Sequence, residues 1–285
     1  MSKAKLALSL GLLAGIFLAS CSSENEQVND SNTVEQAVEH PWSKAVPQRV
    51  VDAAAKLELN VNHLRYDTFY FPDGTSEERL FVEEDIAMTE QEILTLAESQ
   101  NGRQYSTNNL VSQGRNISII GYTGGGGFGL SNKERSGLQM AVNNYNNLGL
   151  TIRFTLSFGT NYQSKDMVVY HNPNNSGSGG QAGFPSGGRP YKWIQIYGLG
   201  GYSTNVNEHV ITHEIGHAIG FRHTDWFSRQ SCGQNSNEGS AGIGANHING
   251  TPTGYDSTSI MLACFNTGVN GEFNNNDKTA LRRLY

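Results

Sequence analysis

The polar and apolar positions of the chain divide it into stretches with a clear rhythm and stretches with none. The first is unlike the rest: Lys3 and Lys5 precede a largely apolar run from Leu6 to Ala19. Such a run is short for a bilayer span, which takes about 20 residues, but it suits an export signal over residues 1–20. Ser22 to Thr33 is polar and reads as a tether over 21–33. Helical spacing then appears at Val50, Val51, Ala54 and Leu57, with Pro47 at a plausible first position, and predicts a helix over 47–59. His63 to Phe71 and Arg79 to Glu84 read as strands around a Pro72-Asp73-Gly74-Thr75 turn, and Thr89-x-x-Glu92 opens a helix to about Ser99. Residues 34–100 therefore form a small α+β unit. Residues 101–116 are polar, contain Arg103 and Arg115, and read as a linker within reach of a protease.

From residue 117 onward the rhythm is denser. Ile117 to Tyr122 predicts a strand, and Ser131-x-x-Glu134 caps a helix with Leu138, Ala141, Val142, Tyr145 and Leu148 on one face, ended by Gly149. Thr151 to Phe158, Asp166 to Tyr170 and Trp193 to Tyr197 are strand-like, with a Gly/Ser/Asn-rich loop over 172–180. Asn205-x-x-Glu208 is placed to cap a helix running to Ile219. This order of elements gives an α+β domain over 117–285 with a mixed sheet.

Composition changes the picture in two ways. A net charge of −6 removes electrostatic support for nucleic-acid binding. The charge is also unevenly placed: residues 24–98 hold 17 acids against 5 Lys/Arg, whereas residues 99–285 carry a net of +4. That split fits two units that attract each other, or simply an acidic, solvated N-terminal face.

The chemistry lies in His213 to Asp225, HEIGHAIGFRHTD. His213 and His217, four apart, share one helical face, and Gly220 lets the chain turn back to deliver His223. The H-E-x-x-H-x-x-G-x-x-H spacing offers three neutral imidazoles to one Zn²⁺ and leaves a fourth position for water. Glu214 is then the general base. Asp225 either receives hydrogen bonds within the turn or orients a ligand, or is an exposed loop carboxylate. Gly124-x-Gly126-x-x-Gly129 matches a dinucleotide-binding fingerprint in form only, because no acid lies between Glu134 and Asp166 to hold a ribose.

HEIGHAIGFRH resembles the zinc signature of metzincin metallopeptidases, and HEIGH followed by IGFRHTD is similar to the bacterial dual-action HEIGH metallopeptidases. The likeness spans about residues 105–285. It implies a metzincin-like zincin domain with a twisted mixed sheet, backing helix, active-site helix, methionine turn and C-terminal helix. In that frame Met261, 38 residues after His223, is the turn methionine, although core packing alone would also suit it. The closing helix is Phe273 to Tyr285. The implied activity is zinc-dependent endopeptidase, with one catalytic ion and a protein or peptide substrate. The substrate would lie extended along an edge strand, with Gln181 to Pro185 and Trp193 to Tyr197 as candidate rim segments. Rival readings are a zinc-binding surface lipoprotein without hydrolysis, and a zinc hydrolase acting on cell-wall material.

Two positions depart from related patterns. Ala263 stands where astacin-like and serralysin-like enzymes carry a tyrosine. Many metzincin pro-segments silence zinc with a cysteine, but here the only upstream cysteine is Cys21. If the N-terminal unit is inhibitory, Asp67, Asp73 or Asp85 must serve, or occlusion alone.

Leu18-Ala19-Ser20-Cys21 resembles the lipobox of bacterial lipoproteins. It implies a lipid on Cys21 and an extracytoplasmic, membrane-anchored protein of the cell envelope; an ordinary signal cut near Ala19-Ser20 is the alternative. Cys232 and Cys264 are then left to pair as a disulfide, or to remain two buried thiols. The Asn/Gly/Asp-rich stretch 235–256 is a candidate for Ca²⁺ but lacks EF-hand spacing. A monomer is expected.

Overall fold

Local sequence rules account for most of the N-terminal elements. α1 (Gln48–Lys56) starts after Pro47, whose φ of −58° suits a helix entry and whose missing N–H would have had no partner there. β1 (Arg65–Tyr70) and β2 (Ser76–Phe81) form an antiparallel hairpin pairing Tyr70 with Ser76 and Arg65 with Phe81. Its turn is closed by Asp73, whose Oδ1 accepts from the Thr75 N–H at 3.0 Å. β3 (Ala87–Met88) adds to β2. α2 (Glu90–Glu98) is opened by a reciprocal bond pair between Thr89 and Glu92, at 2.8 and 3.1 Å. The second strand was expected over 79–84 but spans 76–81, because residues 83–86 leave the hairpin and dock elsewhere. The core of this part includes Val50, Leu80, Ile86, Met88 and Ile93, together with Phe184 from far along the chain.

A computed structural model of the protein describes residues 44–57, 59–98, 106–107, 109–235 and 247–285. The export signal, the tether, Cys21 and half of the candidate calcium loop (236–246) lie outside these residues.

The main sheet holds β4 (Asn116–Tyr122), β5 (Arg153–Gly159), β6 (Met167–His171), β7 (Gly179–Gln181) and β8 (Trp193–Tyr197), in the order β5-β4-β6-β8-β7. Four strands run parallel, and β7 lies antiparallel at the edge. β7 was expected to be loop, since Gly179-Gly180-Gln181 has no apolar rhythm. β8, a candidate rim segment, is interior and pairs on both sides. Trp193 faces Phe71 edge-on at 5.1 Å and Tyr162 at 5.9 Å, so it fastens the N-terminal sheet to the main one.

α3 (Asn132–Asn146), with the expected Ser131/Glu134 capping box, packs on α4 (Thr204–Ile219). Close approach needs Gly137: a Cβ there would stand 2.8 Å from the Glu208 backbone nitrogen. Tyr145 donates to the Thr212 carbonyl across the same interface at 2.9 Å. α4 is capped by Ser203 and not by Asn205, the Ser203 Oγ accepting from the Val206 N–H at 3.3 Å. α5 (Asn275–Leu284) carries a capping box of Asn274 and Asp277, and Tyr285 beyond it donates its hydroxyl to the Ile219 carbonyl while accepting from the Val111 N–H. Part of the expected linker is therefore packed against the catalytic half: Thr107 N–H also bonds Gly220 O at 2.8 Å, and Ser112 N–H bonds Gly188 O at 3.0 Å.

Glu208 yields a stability prediction. It is fully buried; Asn144 donates to its Oε1 at 2.8 Å, and its Oε2 has no partner among the described residues. Burial, with the Glu272 charge second, pushes its carboxyl up to about 7. The folded state thus holds a proton that the unfolded chain releases near pH 4.5. This stabilisation is complete below that pH and is lost as pH rises through 7. Glu208→Gln should flatten the fall in Tm between pH 5 and 8 and stabilise the protein at pH 8 by roughly 1–3 kcal/mol. Equal slopes for the two proteins would contradict the assignment.

Candidate active site

α4 brings His213 and His217 one turn apart on one face, their rings 4.5 Å between centroids. Gly220 ends the helix at φ +120°, and a Cβ there would meet Leu110 at 2.9 Å and the Asn109 carbonyl at 3.1 Å. The chain can therefore turn sharply, and His223 returns to within 4.8 Å of His217, ring to ring. The three predicted ligands are brought together and are nearly inaccessible to solvent.

Their tautomers are set by the surroundings. His213 Nδ1 lies 2.8 Å from the Ile260 carbonyl and His217 Nδ1 lies 2.8 Å from the Phe221 carbonyl, so each Nδ1 carries the proton and each Nε2 keeps its lone pair. Burial, with the His213 charge second, pushes His217 down to about 4, which keeps it neutral. The Nε2 atoms of His213 and His217 converge to 2.8 Å. Three lone pairs aimed at one point, each backed by a fixed Nδ1 partner, suit a divalent ion that takes nitrogen ligands. His223 Nδ1 is backed by Glu83 Oε2 at 3.4 Å.

A fourth donor is already there. Asp85 Oδ2 lies 2.9 Å from His223 Nε2, 3.4 Å from His213 Nε2 and 3.7 Å from His217 Nε2. The four ligand atoms all lie within 4.8 Å of one another, a three-nitrogen, one-oxygen set of tetrahedral number. Burial alone would raise the Asp85 carboxyl, but the His223 charge and bonds from all three imidazoles hold it well below the usual carboxylate range. Of the three candidate aspartates, only Asp85 reaches the cluster; Asp67 bonds within its own hairpin, and Asp73 closes its turn and accepts from the Tyr162 hydroxyl at 3.0 Å.

Asp85 belongs to a strap, residues 83–87, held at several points. Ala182 N–H donates to Asp85 O and Ala87 N–H donates to Ala182 O, both at 2.8 Å, so the strap runs parallel to the chain just past edge strand β7. Glu83 and Arg222 form a buried ion pair at 2.6 Å, and Glu84 meets Arg229 at 3.0 Å. Tyr191 donates to Ala87 O at 2.6 Å and is itself bonded by Arg79. Three consecutive acids thus each have a specific partner near the metal-ligand cluster.

Glu214 is buried under β7, and its Oε2 has no hydrogen-bond partner among the described residues. Burial raises its carboxyl well above the ordinary range and Asp85 adds to the effect. Gly180 is needed above it, since a Cβ there would lie 2.5 Å from Glu214 Cγ. Gly180→Ala should displace the carboxylate and lower kcat about 100-fold with little loss of stability, checked by kinetics and thermal melts side by side. An unchanged kcat would show that Glu214 needs no such fit.

Met261 packs against α4: a Cβ on Gly216, between the two helical histidines, would touch its sulfur at 2.5 Å. Its carbonyl accepts from Thr224 N–H at 2.8 Å, and Asp277 holds the turn through Ser259 Oγ at 2.7 Å and Ile260 N–H at 3.0 Å. Asp225 is buried. It accepts from Ser231 N–H and from Ala263 N–H, both at 2.9 Å, and so joins the loop after His223 to the segment after Met261. The Cys232–Cys264 disulfide, with Cα atoms 5.1 Å apart, ties the same two segments. Asp225 and the disulfide therefore fix one wall of the site.

The sequence reading passed over His209, Arg222 and Gly180. For His209 the signal was present: it precedes His213 by four residues and so continues the histidine face of α4. Arg222 and Gly180 carry no local signal, because their roles depend on the strap and on β7.

A histidine cluster able to hold a metal ion, beside a buried glutamate on an α+β fold, is the arrangement of a metallopeptidase. The sequence profile of the dual-action HEIGH metallo-peptidases matches residues 80–285, and the chain belongs to that family. Among solved structures it is similar to two of myroilysin. One is 16% identical with a TM-score of 0.41, covering 63% of this chain and 98% of that one; the other is 15% identical with a TM-score of 0.40, covering 62% and 86%. No curated protein matches the sequence.

Proposed function

We propose that the protein is a zinc endopeptidase held latent by its own strap, with His213, His217 and His223 as metal ligands and Glu214 as general base. The observation that carries this reading is the convergence of three backed imidazoles beside a buried glutamate with a free oxygen. When bound there, zinc supplies Lewis acidity that polarises a scissile carbonyl and brings a water's pKa toward neutrality. The remaining work falls to the chain. Glu214 takes the proton from the attacking water and returns it to the leaving amine. Ala182 offers its N–H and carbonyl to an extended peptide, as it now does to the strap. Water, not carboxylate, must stand fourth for hydrolysis, so Asp85 is the latch.

Export through residues 1–20 and a lipid on Cys21 complete this reading and place the enzyme at the cell envelope, supported by the sequence at Leu18 to Cys21. Among the described residues no helix is long and apolar enough to cross a membrane. The test is hydrolysis of an unfolded protein by the full chain, by Asp85→Ala and by Glu214→Gln: zinc bound with no hydrolysis by any of them would overturn the enzyme reading.

A further inference from the structure

Beside His213 and Glu214 lies a cavity of about 340 Å³, within the roughly 300–1,000 Å³ of pockets that seat small ligands. Its walls include Tyr197 of β8, Tyr202, Val210 of α4, and Leu262 and Phe265 from the segment tied down by the disulfide. Glu84 and Asp85 of the strap also line it.

His209 makes this cavity unusual. It lines the cavity one turn back from His213, is only 6% exposed, and leans on Phe265 at 6.1 Å between ring centroids. Among the described residues it has no hydrogen-bond partner. Burial, with the His213 charge second, pushes it down to about 3, so the ring is neutral and offers one donor and one acceptor.

The side chain that fits follows from these groups. With the strap displaced, Glu214 is the only carboxylate in the wall and no Lys or Arg lines it, so a cationic guest has that one buried acid to pair with and an anionic guest has no cation at all. A purely apolar guest would expel water and strand a buried imidazole without a partner, which is costly. An aromatic ring with a hydroxyl satisfies both parts: ring against Tyr and Phe walls, hydroxyl on the imidazole.

We propose that His209 makes this cavity select a tyrosine side chain over a phenylalanine one. The substrate part rests on the endopeptidase reading above; the pocket chemistry does not.

Two measurements separate them. In the first, p-cresol and toluene are titrated into the full chain and followed by NMR of the histidine ring nitrogens. The expected result is about tenfold tighter binding of p-cresol, with the His209 signals shifting. His209→Phe should bring the ratio toward one, and His209→Gln, which keeps a hydrogen-bonding group, should retain part of it. Equal binding of the two probes, absence of binding, or an unchanged ratio in His209→Phe overturns the pocket chemistry. In the second, Asp85→Ala is given matched peptides differing only in Tyr or Phe beside the cut. A kcat/KM ratio near ten that falls toward one with His209→Phe supports the substrate role. No hydrolysis of either peptide, with the cresol preference intact, overturns the endopeptidase reading and the substrate role together while the pocket chemistry stands. Equal hydrolysis of both peptides overturns the selectivity alone.

Discussion

Replacing Asp85 with alanine in the full chain should raise peptide hydrolysis by about 10- to 100-fold. The wild-type strap is held by backbone pairing at Ala182, by Glu83 on Arg222, by Glu84 on Arg229 and by Asp85 at the three imidazoles. Removing the last leaves the others, so the strap still docks but opens more often. A loss of about 1.4–3 kcal/mol in docking multiplies the open population by roughly that factor. Asp85→Asn, which keeps the shape and loses the charge, should fall between. Initial rates on a quenched peptide, with zinc content measured in parallel, decide the matter. A zinc-loaded Asp85→Ala no faster than wild type would remove Asp85 as the latch and leave occlusion by the strap.

Glu214→Gln in that activated background should lower the rate by about 10²–10⁴-fold, the usual contribution of a positioned general base. The change is nearly isosteric, and the buried site beneath Gly180 already accommodates a side chain of that shape, so fold and zinc content should hold. The loss should appear in kcat more than in KM, because Glu214 acts on the water and not on the peptide backbone.

Much of this was legible in the sequence, for a physical reason. The zinc motif is local: helix geometry puts positions four apart on one face, and a glycine with positive φ turns the chain for the third ligand. The capping boxes at Ser131 and Asn274 and the helix start at Pro47 are equally local. The misplaced elements are those decided by distant contacts. β7 is a strand because it lies over Glu214 and pairs with β8, although its own residues carry no strand signal. Trp193 to Tyr197 was expected at the rim, yet β7 covers that edge. Asp85 stood among three candidates that sequence spacing could not rank, and only the course of residues 83–87 distinguishes it. Ser203 displaced Asn205 as the α4 cap by two positions, which a list of good capping residues cannot settle.

The most direct test of the central claim pairs two zinc-loaded, full-length proteins, Asp85→Ala and Asp85→Ala/Glu214→Gln, on the same quenched peptide. Metal analysis should find about one zinc per chain in both, and hydrolysis should come from the first and fall by 10²–10⁴-fold in the second. Equal rates from the two proteins, or hydrolysis that survives replacement of His213 and His217, would contradict the account.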